Sequence, residues 1–304
     1  MTPATLTAGT RGSRLARRQT RLVLDALRAA WPGLRCEERL FSTRGDRLLE
    51  IPLPRIGGKG LFTEELEAAL RAGEIDLAVH SLKDLPVDPA PGLVIGAVPR
   101  RGPVQDVLVA ASPRTLETLP PRAVVGTSSP RRAAQLRHAR PDLDVRPLRG
   151  NVDTRLARVQ RGDYDAAVMA AAGFERLELE AATVPLPFDV MLPAPGQGAL
   201  AVQCRLDDEH TRTLLAALDD ATTRRATTAE RSFLHALGGG CAVPVAACAE
   251  VENGNTLRLT GLVAAPDGSR VIRRSLTGTD PEALGHALAD LLLTAGADAL
   301  LSHA

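Results

Sequence analysis

The chain has 304 residues, of which 44% are hydrophobic and 24% charged, with a formal net charge of +1. These values fit two or three globular domains and argue against extended disorder. With aromatic residues at only 2%, the core must be built from Leu, Val, Ile and Ala, and neither the stacking platforms nor the basic field of a nucleic-acid binder is available.

The opening segment, Met1-Thr-Pro-Ala-Thr5, lacks the basic start and apolar run of a secretion signal. No stretch approaches the roughly 18 apolar residues of a membrane helix. In chain order, Leu6–Ala8 is a predicted strand, followed by the turn Gly9-Thr-Arg-Gly-Ser13 and a helix over Arg14–Ala30. Arg39–Phe41 is a further strand. Residues 43–60, rich in Gly, Pro and charge, read as a long loop, and loops of that length are usually functional. The helix Leu61–Ala72 carries an apolar stripe of Leu61, Phe62, Leu66, Ala69 and Leu70, and Gly73 ends it before the buried strand Ile75–Val79.

After Pro99-Arg-Arg-Gly-Pro103, a hinge candidate, strands are predicted at Val107–Ala110, Ala123–Val125, Val145–Leu148 and Ala166–Met169. Helices at Arg131–Arg140 and Val152–Arg161 separate them, which indicates βαβ units and parallel pairing. Pro193-Ala-Pro-Gly-Gln-Gly198 breaks the pattern before an apolar return segment, Ala199–Cys204. From about Thr222 the texture changes. A helix through Leu237 ends in Gly238-Gly-Gly-Cys241, and strand-like runs follow at Val245–Ala249, Leu257–Ala264 and Arg270–Leu276. Turns at Asn253-Gly254 and Pro266-Asp-Gly268 divide these runs. A closing helix starts with Asp280 as cap and Pro281 in the first helical position. The fold class expected is α/β: two doubly wound mixed sheets and a small α+β C-terminal domain.

Four segments share one layout: an apolar strand, a turn with Gly and hydroxyl or amide groups, then a helix start bearing a basic residue. They are Gly9-Thr-Arg-Gly-Ser13, Gly126-Thr-Ser-Ser-Pro-Arg-Arg132, Arg149-Gly-Asn-Val-Asp-Thr-Arg155 and, less cleanly, His80-Ser-Leu-Lys83. Helix N-termini present unpaired N–H groups and partial positive charge, so they hold anions. Ser13, Ser129 and Asn151 are the N-cap candidates. Any one of these is more often an ordinary cap with a solvated arginine. Four together, supplying Arg11, Arg131, Arg132, Arg149 and Arg155, point to a ligand with many carboxylates or phosphates. Arginine–carboxylate hydrogen bonds contribute on the order of 1.5–3 kcal/mol each when partly desolvated.

Lysine occurs only at Lys59 and Lys83 among 37 basic residues. Both sit in motif-like segments, and read either as chance placements on a solvated surface or as sites that want a compact, flexible ammonium rather than a planar fork. Asp84, an acid among cations, reads either as a surface cap or as the negative charge facing a cationic transition state or proton transfer. The four cysteines, Cys36, Cys204, Cys241 and Cys248, show neither CxxC nor zinc spacing. They read as thiols of a reducing compartment, the cytoplasm. Cys241, on a triple-glycine turn, can project from its domain, whereas the other three lie in apolar or alternating segments and fit a buried, inert role.

The joint order and spacing of seven segments closely resemble the hydroxymethylbilane synthase (porphobilinogen deaminase) family over essentially the whole chain. They are Thr10-Arg-Gly-Ser-Arg-Leu-Ala16, Gly57-Gly-Lys-Gly-Leu-Phe62, Ala78-Val-His-Ser-Leu-Lys-Asp-Leu-Pro86, Val125-Gly-Thr-Ser-Ser-Pro-Arg-Arg132, Leu148-Arg-Gly-Asn-Val-Asp-Thr-Arg155, Pro195-Gly-Gln-Gly198 and Gly239-Gly-Cys-Ala-Val-Pro244. The resemblance implies two domains like those of periplasmic solute-binding proteins, with chain crossings near Pro99–Pro103 and Gly198–Val202. Domain 1 would take residues 1–99 and 200–221, domain 2 residues 100–199, and domain 3 residues 222–304. It further implies a dipyrromethane cofactor joined by a thioether to Cys241, and a transferase that adds four porphobilinogens head to tail with loss of ammonia, giving hydroxymethylbilane. Loss of ammonia produces an azafulvene cation, which Asp84 would stabilise. Arg11, Ser13, Lys59, Ser81, Lys83, Thr127, Ser128, Ser129, Arg131, Arg132, Arg149, Arg155 and Arg176 would bind cofactor and substrate carboxylates. Arg55, Phe62 and Gln197 are loop or packing positions, with Phe62 set against a pyrrole. Arg55 stands where the family often has lysine, and Glu175 precedes Arg176 where a second basic residue is common. The resemblance implies no metal, no nucleic acid or membrane partner, and a monomer that hands its product to the next enzyme.

Two other readings use the same residues. A solute-binding protein for a polyanion would share the fold but have no use for a third domain bearing Cys241. A cysteine acyltransferase needs a base near the thiol, and His235, six residues before Cys241, has no evident orienting partner.

Overall fold

The computed structural model describes residues 5–43, 45, 63–238 and 243–301. The chain divides into two units, Met1–Gly102 with Ala199–Arg224, and Pro103–Gly198 with Arg225–Ala304.

The first unit is built on a five-stranded sheet. Its strands are β1 (Thr5–Arg11), β2 (Arg35–Phe41), β3 (Leu77–Ser81), β4 (Leu93–Ala97) and β10 (Leu200–Arg205), in the order β2-β1-β3-β10-β4. The first three run parallel, and β10 is antiparallel to both β3 and β4. Leu77–His80 are all buried, as befits a strand covered on both faces. Edge strand β2 is instead rich in charge, which guards an exposed edge. Helix α1 (Arg14–Ala30) buries Ala16, Gln19, Thr20, Val23, Leu24 and Leu27, a stripe at 3.6-residue spacing. Helix α2 (Glu64–Arg71) packs Leu66 and Leu70 under the same sheet. The close packing leaves no room at Gly9, where a Cβ would lie 2.4 Å from Ile75 Cδ1 and the packed side chains would have to shift.

The second unit repeats this plan with a shifted strand sequence. β5 (Asp106–Ala110), β6 (Val124–Gly126), β7 (Asp144–Arg146), β8 (Ala166–Ala170) and β9 (Thr183–Pro185) form a sheet in the order β7-β6-β8-β5-β9. Here β7, β6 and β8 are parallel, and β5 is antiparallel to β8 and β9. In the first unit the reversed strand, β10, is the one on which the chain returns to the unit, and in the second the reversed strand, β5, is the one on which the chain first enters it. Helices α3 (Pro130–Ala139), α4 (Val152–Gln160) and α5 (Ala171–Leu177) follow β6, β7 and β8. Alternation of strand and helix accounts for the parallel part of each doubly wound sheet, and the antiparallel β10 and β5 make both sheets mixed. Helix α6 (Glu209–Ala216) follows β10 in the first unit.

The C-terminal part of the second unit is α+β. Helix α7 (Ala221–Ala236) precedes an antiparallel meander of β11 (Val245–Val251), β12 (Leu257–Ala264) and β13 (Val271–Gly278), which α8 (Pro281–Thr294) and α9 (Ala297–Leu301) close. Asp280 caps α8 by accepting from the Ala283 N–H at 2.9 Å. Phe233, Leu259, Val263, Leu288 and Leu292 form its own core. A second cluster joins this meander to the five-stranded part: Ala246, Cys248, Leu262 and Ala264 pack with Ala134 and Leu192. The β12–β13 turn adds polar anchors, with Arg137 Nη1 donating to Pro266 O at 2.8 Å and His138 Nδ1 2.9 Å from Gly268 O. No helix among the described residues is long and apolar enough to cross a membrane.

Gly268 sits at φ +78°, and a Cβ there would come within 2.7 Å of the His138 backbone nitrogen. Gly268→Ala is therefore expected to lower stability by roughly 2–4 kcal/mol, because backbone cannot yield as a side chain can. Urea unfolding checks this, and a loss below about 0.5 kcal/mol would mean the turn docks differently.

Candidate functional site

Parallel strands aim their carboxyl ends at one edge of a sheet, and ligands bind where the connections diverge in opposite directions. In the first unit that point lies between β1 and β3, which pair through Ala8 with Leu77 and Gly9 with Ala78. Their pairing brings the turn Arg11-Gly-Ser13 and the segment Ser81–Asp84 to the same sheet edge. Ser13 is the N-cap of α1, its Oγ accepting from the Ala16 N–H at 3.2 Å. Ser81 ends β3, and its Oγ accepts from Gln19 Nε2 at 2.9 Å, so buried Gln19 ties α1 to β3. The chain then tightens into a 3₁₀ turn over Leu82–Asp84. Leu82 is buried beneath it, Lys83 is half-buried and Asp84 is exposed. One buried leucine thus holds an ammonium and a carboxylate at the rim. Arg11, the last residue of β1, is also half-buried.

The corresponding point in the second unit lies between β6 and β8. Gly126 ends β6 where a Cβ would meet Leu148 Cδ2 at 2.6 Å. Thr127 Oγ1 then accepts from the Ser129 N–H at 3.2 Å, and Ser129 Oγ accepts from the Arg132 N–H at 3.4 Å, capping α3. Ser128 Oγ is buried without a hydrogen-bond partner. Asn151 is the N-cap of α4 by position but makes no side-chain cap hydrogen bond. Arg149 is half-buried one residue before Gly150, whose φ is +110°. Arg155 Nε donates to Gly150 O at 2.8 Å. Arg176, on α5, donates from Nη2 to Gly198 O at 2.6 Å, and burial lowers its pKa, opposed by neighbouring Glu175.

Arg131 and Arg132 are placed differently from a pair of solvated ligand-binding arginines. Both are buried against Asp106, which is 0% exposed. Arg131 Nη1 donates to Asp106 Oδ2 at 2.7 Å and to Leu192 O at 2.7 Å. Arg132 reaches Asp106 Oδ1 through Nε at 3.0 Å and Nη2 at 2.7 Å, and Val168 O through Nη1 at 3.2 Å. Gln197 completes the carboxylate's shell, donating from Nε2 to Oδ1 at 3.0 Å and to Val104 O at 2.8 Å. Removing one partner of such a buried pair costs about 3–5 kcal/mol. Two cations face one anion, so the cluster keeps a net positive charge at the strand-end edge. Sequence reasoning overlooked Asp106. The available signal was an acid opening the otherwise apolar run Val107–Ala110.

Buried Glu230 acts similarly on the Pro195–Gly198 loop, accepting from the Gly196 N–H at 2.7 Å and the Ala249 N–H at 2.8 Å. Cys36 is half-buried, while Cys204 and Cys248 are buried in strands; burial pushes the Cys204 thiol up to about 11. Arg55, Lys59, Phe62 and Cys241 lie outside the described residues.

Comparison with known proteins agrees over nearly the full length. Residues 6–213 match the family described as "Porphobilinogen deaminase, dipyromethane cofactor binding domain", and residues 225–294 match "Porphobilinogen deaminase, C-terminal domain". The chain is 53% identical over 300 residues to the porphobilinogen deaminase of Roseiflexus castenholzii, covering 98% of each chain. It is 49% identical over 295 residues to that of Brevibacillus brevis, covering 97% of this chain and 96% of the relative.

Next to Ser81, His80 is buried, and that burial, with nearby Arg11, lowers its pKa from 6.5 to about 4 against an opposing pull from Gln203. The unfolded chain takes up this proton near pH 6.5 and the folded chain only near pH 4. The associated stability is therefore complete above about pH 6.5 and is lost as pH falls toward 4, by about 3 kcal/mol in all. His80→Gln is expected to flatten the dependence of stability on pH in this window. Urea unfolding at several pH values checks it; an unchanged slope would mean that His80 titrates normally.

Proposed function

The chain belongs to the porphobilinogen deaminase family, and from that premise we propose that Asp84, the two strand-end clusters and Cys241 carry its reaction. The chain is a transferase that polymerises porphobilinogen head to tail, with loss of ammonia, into the linear tetrapyrrole hydroxymethylbilane of tetrapyrrole biosynthesis. Its cofactor is dipyrromethane, which when bound supplies a primer with a nucleophilic pyrrole carbon.

The second-unit turn fits a group bearing several carboxylates. Ser128 Oγ is a buried hydroxyl without a partner, beside the N-terminus of α3 and the cationic Arg131–Arg132 pair. Thr127, Ser129, Arg149, Arg155 and Arg176 would extend the carboxylate-binding set around it. We assign cofactor attachment to Cys241. In support, the other three thiols sit within strands, and Cys241 lies in the Gly-Gly-Cys motif that precedes β11.

In the first unit, Ser13, Ser81, Lys83 and Arg11 would hold a substrate's acetate and propionate. Asp84 is the exposed anion beside them. Its carboxylate would accept hydrogen bonds from the aminomethyl ammonium and the pyrrole N–H, offset positive charge as ammonia leaves, and take the proton released by coupling. The observation that carries this assignment is the 3₁₀ turn that sets Lys83 and Asp84 at the end of β3, next to the capped start of α1. Lys59, Arg55 and Phe62 complete the proposal as loop groups over the substrate, with Gln197 as a packing residue. A cytoplasmic monomer that passes its product to the next enzyme belongs to the same reading.

The purified chain is expected to weigh more than its sequence by two deaminated porphobilinogen units, and Cys241→Ser to lack that increment; intact mass spectrometry decides both. An unmodified mass from an active preparation would sink the attachment. Asp84→Asn is expected to keep the increment while turnover falls by about 10²–10⁴. Near-normal bilane formation by that variant would remove Asp84 from the chemistry.

A further inference from the structure

We propose that Asp106 is a positioning residue: its buried carboxylate orients the guanidinium groups of Arg131 and Arg132 and couples them to the segment ending in Gln197. The proposal rests on the second-unit turn being a carboxylate site. Asp106 opens β5, opposite Ala170 at the end of β8, so the antiparallel entry of β5 delivers an acid to the edge where the parallel strands deliver their turns. Both carboxylate oxygens are occupied, Oδ2 by Arg131 and Oδ1 by Arg132 and Gln197.

Each guanidinium has five N–H groups. The bonds described above use two on Arg131 and three on Arg132, with Leu192 O and Val168 O fixing the planes of the forks. Without Asp106 two like charges would face each other with low exposure, and the forks would turn apart. With it, the pair presents a fixed net positive charge before any ligand arrives, so no reorganisation is needed when a ligand carboxylate approaches. Gln197 also donates to Val104 O, which joins the residues just before β5 to those just before β10. The arginine geometry is therefore set by both ends of the 104–197 segment.

The test compares the whole chain with Asp106→Asn, Arg132→Gln and the double variant, by intact mass for cofactor loading, by KM and kcat for porphobilinogen, and by thermal melting. Asp106→Asn is expected to be loaded on fewer than about one molecule in ten, or, where loaded, to show KM raised about tenfold with a smaller change in kcat. The double variant should lose less than the sum of the two single variants, because part of the effect of Asp106 passes through Arg132 and only the part through Arg131 remains to be added. A merely structural residue would add its loss to that of Arg132→Gln and would track the melting temperature. Full loading and wild-type KM in folded Asp106→Asn overturn the proposal, as does additivity. If Asp106→Asn does not fold, Gln197→Leu removes only one donor from Oδ1 and is expected to raise KM about threefold; an unchanged KM there overturns it equally. An unloaded wild type would instead sink the underlying reading of the site.

Discussion

The pairing of one buried carboxylate with two arginines organises the second unit. Asp106 is 0% exposed, and an isolated charge in that position would be prohibitively costly. It is tolerated because three side chains from two other segments converge on it. That requirement fixes the first residue of β5, the first turn of α3 and the loop before β10 at once. Glu230 performs the same service from α7, tying the Gly196 amide to that helix and to β11. The Pro195–Gly198 loop is thus held at adjacent residues by two buried acids, one from each part of the unit.

The reversed strands explain why both units place their polar turns alike. The four parallel strands of each sheet point their carboxyl ends at a single edge, where helix N-termini follow. The fifth strand, entering antiparallel, presents its amino end at that edge. In the second unit this lets the chain insert an acid among arginines; in the first, β10 enters through Ala199 and Leu200, beside Leu82 and Ser81. The second unit therefore holds its cations by an internal anion, whereas the first leaves Asp84 exposed beside half-buried Lys83. One cluster is braced from within by its own anion, and the other leaves a carboxylate exposed at its rim.

Much of this was legible in the sequence because local chemistry determined it. Helix α1 runs Arg14–Ala30 as its periodicity predicts, and Ser13, Ser129 and Asp280 cap as their positions imply. Several elements escaped the sequence reading, four of them for reasons visible in the structure. β4 and β9 are short segments whose strand character comes from pairing with β10 and β5. α5 follows β8 without a capping side chain, and α6 is capped by Asp208 in a charged stretch that shows little apolar periodicity. β2 extends back to Arg35 through charged residues because β1 offers a complete ladder. The role of Asp106 was hidden for a different reason. Its partners stand 25 to 91 residues away, and no local pattern shows which arginines a buried acid will choose. Asn151 marks the converse failure, a cap-like residue whose side chain caps nothing.

At the buried positions of the Asp106 cluster the geometry selects arginine over lysine. Arg131 bonds a carboxylate and a backbone carbonyl through one nitrogen, and Arg132 bonds the carboxylate side-on while reaching Val168. An ammonium has three donors radiating from one point on a flexible stem and is more strongly hydrated, so burial beside Asp106 would be harder to offset. Arg155 and Arg176 likewise brace turn carbonyls at Gly150 and Gly198, leaving a charge whose direction the backbone fixes. Lys83 has the opposite setting, half-buried at the rim of a 3₁₀ turn beside an exposed acid. The fixed positions of the second unit, buried or half-buried, are thus all held by arginine.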